Sequence, residues 1–200
     1  MEFKDLVTQR RSVHNFKPGF KLSKTQWHEL LEYVRYTPSG YNAQPWTFKL
    51  IQEDEAIKKL HKLCYSQKHI LTSGNVVVVI GDVKFGVHEA ERIVKEWREH
   101  RHFTEKQAEA LHASLVKDRE AWKKREMVIR NCSLAAMTFM YAAEDLGLAA
   151  CPMMGFRQLD LKRELGLKEH ELPIMLIALG KAEADELERL PRKTVDALEG

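Results

Sequence analysis

Two carboxamides, Asn42 and Gln44, stand two residues apart on a segment stiffened by Pro38 and Pro45. Each amide offers one acceptor and two donors, a set suited to reading the edge of a planar heteroaromatic ring. Pro38-Ser39-Gly40 leads into them, and Pro45-Trp46 opens a β-branched and aromatic run from Thr47 to Ile51. The same residues also suit an ordinary helix-to-strand turn in which both amides bond nearby backbone. Gly40 fits either a tight approach by a ring or simple turn geometry.

A second group could hold a phosphate. Arg10, Arg11 and Ser12 are adjacent, and Arg189 and Arg192 lie near the C-terminus. Guanidinium binds phosphate bidentately through a planar fork. No Walker A sequence and no Gly-x-Gly-x-x-Gly is present to cradle phosphate by a glycine loop. Surface arginines are common, so plain solvated charge is the alternative. His14, Gln67 and the Met153-Met154-Gly155 stretch are further polar or adaptable positions. His14 also reads as a packed loop histidine, and the two methionines as gap-filling core. Lys68 and His69 read as surface charge. No Ser-His-Asp order, HExxH or paired-acid motif stands out, and the acids two apart, Glu89 with Glu91 and Glu183 with Asp185, read as solvated.

Arg10-Arg11-Ser12-Val13-His14-Asn15-Phe16, followed about 25 residues later by Pro-Ser-x-x-Asn-x-Gln-Pro-Trp, resembles the nitroreductase family of FMN-dependent, NAD(P)H-using oxidoreductases. A Val-rich run, Pro152-x-x-Gly155-Phe156 and Arg189-Leu190-Pro191 follow in the family's order, so the likeness spans nearly the whole chain. It implies an α+β fold, an α/β/α sandwich around a mixed, mainly antiparallel sheet. It implies a homodimer with FMN at the subunit interface and a C-terminal tail crossing to the partner.

By that resemblance Arg10, Ser12 and Arg189 hold the FMN phosphate and ribityl chain, with Arg11 and Arg192 as lesser candidates. His14 stands where relatives carry Arg or Lys beside the flavin N1–C2=O2 side. Asn42 and Gln44 would fix the flavin from the opposing subunit, with Pro38, Ser39 and Gly40 close to the ring. Gln67 takes the place of an amide beside the pyrimidine, and Met154-Gly155 the place of a common Glu-Gly whose N–H groups approach flavin N5 and O4. Methionine there is a departure that makes the pocket more apolar. No catalytic side chain is expected, because the cofactor carries the chemistry.

Composition agrees with a single domain over residues 1–200. Two hundred residues at 44% apolar content should bury roughly 70% of the unfolded surface, without metal or disulfide. Cys64, Cys132 and Cys151 are odd in number and lack metal-ligand spacing, which reads as reduced thiols in a cytoplasmic protein. Nothing at the N-terminus resembles a signal peptide, and no apolar run is long enough to span a bilayer. The net charge of +3 comes from 32 basic and 29 acidic residues, too mixed for a nucleic-acid footprint.

Periodicity places helices at 2–9, at 24–37 behind a Ser23/Gln26 capping box, at 53–63, 127–148 and 159–165. Strands are expected at 47–52, 75–81 and 174–180, the second interior because it is apolar on both faces. Residues 84–130 read as a charged helical excursion, with Ile93, Val94 and Trp97, then Leu111, Leu115 and Trp122, marking narrow apolar stripes. By the resemblance it overhangs the active site. The expected activity moves hydride from NADH or NADPH through flavin N5 to a nitroaromatic, a quinone or another electron-poor acceptor, by alternation. A flavin-binding protein with little turnover is the other reading. No metal, nucleic acid or membrane is expected as a partner.

Overall fold

The computed structural model describes residues 2–183 and 189–199, so Asp185 falls outside the description. Helix α1 (Phe3–Gln9) is followed by α2 (Lys24–Val34), which starts where the spacing predicts: the Gln26 N–H donates to the Ser23 hydroxyl, and the Ser23 N–H to the Gln26 side chain. A 3-10 turn, Gly40–Asn42, leads into β1 (Trp46–Ile51), then α3 (Asp54–Leu63), the single turn α4 (His69–Thr72) and β2 (Asn75–Asp82). The excursion holds α5 (Phe85–His88), α6 (Ala90–Arg101) and α7 (Glu105–Val116). The long α8 (Ala121–Asp145), β3 (Ala149–Met153), α9 (Gln158–Glu164) and β4 (Glu171–Gly180) complete the chain order.

The strands form one sheet in the order β1-β2-β4-β3, and all three ladders are antiparallel. A parallel contribution comes from a bridge between Ser12 and Ala150, which lays the N-terminal segment along the outer edge of β3. Successive strand residues point to opposite faces. Val77, Val79, Ile177 and Leu179 therefore join a core with α2, α6, α7 and α8. Val76, Val78, Leu176, Ala178, Cys151 and Met153 join a second core with α3, α9, Val13 and Phe16. This is a helix–sheet–helix sandwich, and β2 is interior and buried on both faces, as its Val/Ile run predicts. Gly81 allows α8 to close on the sheet: a Cβ there would stand 2.2 Å from Val128 Cγ1.

Several elements differ from expectation. Strand β3 is absent from the periodicity pattern, because Ala149-Ala150-Cys151-Pro152-Met153 is short and contains proline; proline is accommodated on an edge strand, where β3 lies. The last strand starts at Glu171 and carries Pro173 within it, at a register shift where Val79 faces Met175 but Ile80 faces Pro173. Helix α8 starts six residues before Met127. Trp122 leaves the apolar stripe: it is exposed, with the Lys123 ammonium 5.2 Å from its ring centroid. The excursion exposes its charged faces but sinks Phe85, Ile93, Val94, Leu111 and Leu115 into the first core. Among the described residues, no helix is long and apolar enough to cross a membrane. All three cysteines are buried and unbridged.

Candidate functional site

The edge of β3 gathers residues from both ends of the chain. The Val13 N–H donates to the Ala150 carbonyl (3.2 Å), which holds the 10–14 segment against the strand. Arg189, far along the chain, folds back so that Nη2 donates to the carbonyls of Gln9 (3.1 Å) and Arg10 (2.8 Å). Arg189 thus lies against the Gln9–Arg10 backbone, just before Ser12 in the chain. Arg11 is half-buried in the same segment. Arg192 is exposed and bonds the Leu190 carbonyl of its own segment (3.0 Å), so this chain does not turn it into the cluster. Arg10 Nη1 is buried and meets no hydrogen-bond partner among the described residues. Glu144 on α8 supplies counter-charge: burial pushes its carboxyl up, and the Arg10 and Arg189 guanidiniums pull it partly back.

Beside this group lies a second wall. Gln67 Nε2 donates to the carbonyls of Cys64 and Gly155, both at 3.1 Å, which ties the 65–67 turn to the end of β3. Tyr65 and Ser66 hold left-handed backbone, φ 54° and 57°. Gly155 has no such φ, and an added Cβ would meet Gln67 Nε2 only at 3.5 Å, an ordinary contact. The chain's own packing therefore does not demand glycine at 155. Met153 is buried core, but Met154 is 78% exposed, which removes the gap-filling reading for it.

His69 corrects the sequence reading most clearly. It is 7% exposed, not a surface charge, and its Nε2 lies 2.9 Å from Met153 Sδ. His14, which is exposed, sets its ring 5.2 Å from that of His69, edge to face. Burial, and then the neighbouring His14, hold the His69 pKa below the ordinary value. Burial pushes the nearby Cys151 thiol up to about 11, offset in part by Arg10. Lys68 is exposed, as expected.

The amide turn is built differently. Tyr41, Asn42 and Gln44 are all left-handed, φ 59°, 58° and 47°, three strained positions within four residues. Such backbone persists only where surroundings over-determine it, and it concentrates at functional sites. Helix α6 supplies much of the restraint. Arg92 Nη2 donates to the Asn42 and Ala43 carbonyls (both 3.2 Å), Trp97 Nε1 to the Tyr41 carbonyl (3.3 Å), and Asn42 Nδ2 to Glu96 Oε2 (3.2 Å). Asn131 of α8 accepts from the Gly40 N–H (3.0 Å). Ser39 Oγ accepts from the Gln44 N–H, and Gln44 Nε2 donates to Asn42 Oδ1 (3.2 Å). The local-bond reading therefore holds for Gln44, while Asn42 reaches a different helix. Gly40 has no left-handed φ, and a Cβ added there would meet no atom within 4 Å, so turn geometry does not require glycine. Pro38 is exposed at the mouth of the turn.

Sequence reasoning missed His69, Met153, Glu144, Arg92, Glu96 and Asn131 as neighbours of these groups. Arg92 alone carried a signal, flanked by Glu89 and Glu96 at helical spacing and paired to both (2.6 and 2.8 Å).

A guanidinium nitrogen buried without a partner among the described residues, with a second arginine against the same segment and Ser12 two residues on, is what an anion-binding pocket offers, and it fits a phosphate-bearing cofactor. The Nitroreductase family profile matches residues 7–181. The chain belongs to the nitroreductase family. It is 30% identical over 194 residues to YodC of Bacillus subtilis, provisionally named an NAD(P)H nitroreductase, covering 96% of both chains. It is 32% identical over 202 residues to YdgI of the same organism, named likewise, covering 97% of this chain and 96% of the relative. The crystal structure of Bacillus subtilis ydfN superimposes with a TM-score of 0.92 at 29% identity, covering 100% of this chain and 98% of that one. A provisionally named nitroreductase of Exiguobacterium sibiricum, solved with FMN, gives 0.88 at 25% identity, covering 100% and 97%. This nitroreductase-family chain is accordingly an oxidoreductase of the α+β nitroreductase fold.

Proposed function

We propose that the chain is an FMN-dependent NAD(P)H oxidoreductase acting on electron-poor acceptors, as a homodimer with two composite sites. The observation that carries this reading is Arg10 Nη1, buried and unpartnered among the described residues, in a segment that Arg189 holds and that continues into Ser12. When bound, FMN supplies the two-electron chemistry, taking hydride from NADH or NADPH and passing it to a nitroaromatic or quinone in alternation.

The protein's part is placement. Arg10, Ser12 and Arg189 bind the phosphate end through charge-assisted hydrogen bonds, with Arg11 and Arg192 adding long-range positive charge. Gln67, oriented by the Cys64 and Gly155 carbonyls, lines the pyrimidine end, and His14 stands there as the hydrogen-bond donor. Gly155 leaves room for a flat ring that the chain itself does not fill. Met154, exposed in the single chain, closes the pocket against water.

The amide turn needs a second copy to reach this cleft. It leads into β1, whereas Arg10 and Ser12 lie along β3, the opposite edge of the sheet. Three interstrand spacings amount to about 14 Å. A partner's turn, carrying Pro38, Ser39, Gly40, Asn42 and Gln44, completes the site. Exposed apolar side chains at Phe3, Leu134, Met154, Leu190, Val195 and Leu198 support a large covered surface.

The test is spectroscopic. Purified protein should be yellow or take up FMN, and its visible bands should bleach anaerobically on adding NADH or NADPH. In Arg10→Ala the lost charge-assisted contact, about 1.5–3 kcal/mol, should weaken FMN binding roughly 10- to 100-fold. Protein that refuses FMN, or an Arg10→Ala variant with unchanged affinity, overturns the reading.

A further inference from the structure

Where β2 finishes and β4 begins, three ligand-bearing side chains converge from three elements. Asp82 ends β2, His88 ends α5, and His170 immediately precedes β4. One ligand atom from each lies within 4.8 Å of the other two. His88 Nδ1 is 2.5 Å from Asp82 Oδ2, and the two imidazoles stand edge to face with centroids 4.6 Å apart. Asp82 meets the amide segment only through its backbone, its N–H donating to the Pro45 carbonyl (3.0 Å), so its carboxylate and the two imidazoles are left to one another.

We propose that Asp82, His88 and His170 form a binding site for a divalent transition-metal ion of the zinc class. Two imidazoles and one carboxylate are a ligand set for such an ion, leaving a further position to water. Magnesium and calcium favour all-oxygen surroundings and are poorly served here. The surroundings orient the ligands. The Lys84 N–H donates to Asp82 Oδ1 (2.7 Å), which pins one carboxylate oxygen and leaves Oδ2 facing the imidazoles. The Val83 N–H donates to the His170 carbonyl (2.9 Å), which fixes the two backbone segments against each other. The neighbouring acid, Glu171, accepts instead from the Lys168 N–H (2.8 Å).

Tetrahedral zinc with ligands at about 2.0–2.1 Å sets its donors about 3.3 Å apart. The ion would widen the Asp82–His88 pair by under about 1 Å and draw His170 inward by at most about 1.5 Å. His88, with its side chain 39% exposed, is free to make that adjustment. The bound ion would fasten the start of the 84–130 excursion to two strands at once. A second cluster, His14, His69 and Cys151, has comparable spacing. Its thiol is held protonated by burial, and His14 belongs to the proposed flavin wall.

The experiment is equilibrium dialysis of the full-length, FMN-supplied protein against Zn²⁺ near neutral pH, with bound metal measured by atomic emission. Wild type should take up zinc at one saturable site per chain. His170→Ala and Asp82→Asn should each weaken it more than about a hundredfold, because changing groups that merely orient ligands already costs about 10–100-fold. His88→Cys, which replaces imidazole by thiolate, should retain it. Zinc should raise the thermal midpoint of wild type but not of His170→Ala, each compared with its own metal-free baseline, so a variant destabilised in itself does not mislead. Equal binding in wild type and His170→Ala, or loss on Cys151→Ser instead, overturns the assignment. Neither result bears on FMN binding, so this site and the flavin reading fail separately.

Discussion

The two halves of the proposed site are restrained by different forces. The Arg10–Gln67 half rests on β3 and the second core, where Cys151, Met153, His69 and Ile70 are buried. The 39–44 half is a strained turn anchored by the single buried Ala43 and by polar bonds from α6 and α8. Apolar burial is non-directional and little affected by salt, whereas hydrogen bonds and half-exposed ion pairs are directional and screened. The first half therefore gains its geometry from folding itself. The second gains it from the excursion, whose charged helices hold three left-handed residues in place. A cofactor cleft can be rigid on one side while its covering side is tuned by surface substitutions.

Two substitutions should separate these restraints. Met153→Ala deletes most of a buried side chain under β3 and should cost about 2–5 kcal/mol of stability. Because the same residue packs against His69, FMN should be lost together with stability. Urea melts with and without FMN measure both, and a near-neutral Met153→Ala would show that the β3 edge is not fixed by burial. Arg92→Ala should behave oppositely. Its pairs with Glu89 and Glu96 are partly exposed, so about 0.2–1 kcal/mol of stability is at stake. The turn, however, loses its bonds to the Asn42 and Ala43 carbonyls. The expected signature is a small shift in the melt, a clear change in acceptor KM, and greater sensitivity to salt. A large stability loss with unchanged kinetics would equate the two halves.

What can be read from sequence follows the same division. Local signals are legible: the Ser23/Gln26 box, the doubly buried β2, and the turn that separates α2 from β1. The Thr104/Gln107 box at the start of α7 carries the same signal and is equally available. The pairing of Arg10 with Arg189 is not legible from spacing, since 179 residues separate them, and only the family resemblance joins them. The edge strand β3 is hidden because proline and small residues give no alternation to count. His69 reads as surface charge because Gln67-Lys68-His69 is polar throughout; its burial is decided by Met153, which lies 84 residues away. Gly40 and Gly155 are ambiguous until the backbone shows that neither needs glycine for its own conformation.

The buried half should also respond to pH in a way the exposed half does not. His69 is held below its ordinary pKa by burial and by His14. In the unfolded chain it titrates near 6.5. Between its folded value and about 6.5 the unfolded chain binds the extra proton, so stability rises with pH through that window, and acidification through it removes that stability until both states are protonated and the contribution levels off. Glu144 acts with the opposite sign. Its raised carboxyl contributes stability that is complete below its unfolded value and is lost as pH rises through its folded one. The wild-type curve mixes both, so the informative quantity is the difference from a His69→Gln variant, in which Glu144 cancels. Thermal midpoints measured on both proteins from about pH 5 to 7.5 should converge at the acidic end if His69 is the group responsible. Parallel curves across that range would mean that His69 keeps its proton balance on folding, and that the β3 edge is less dry than its packing indicates.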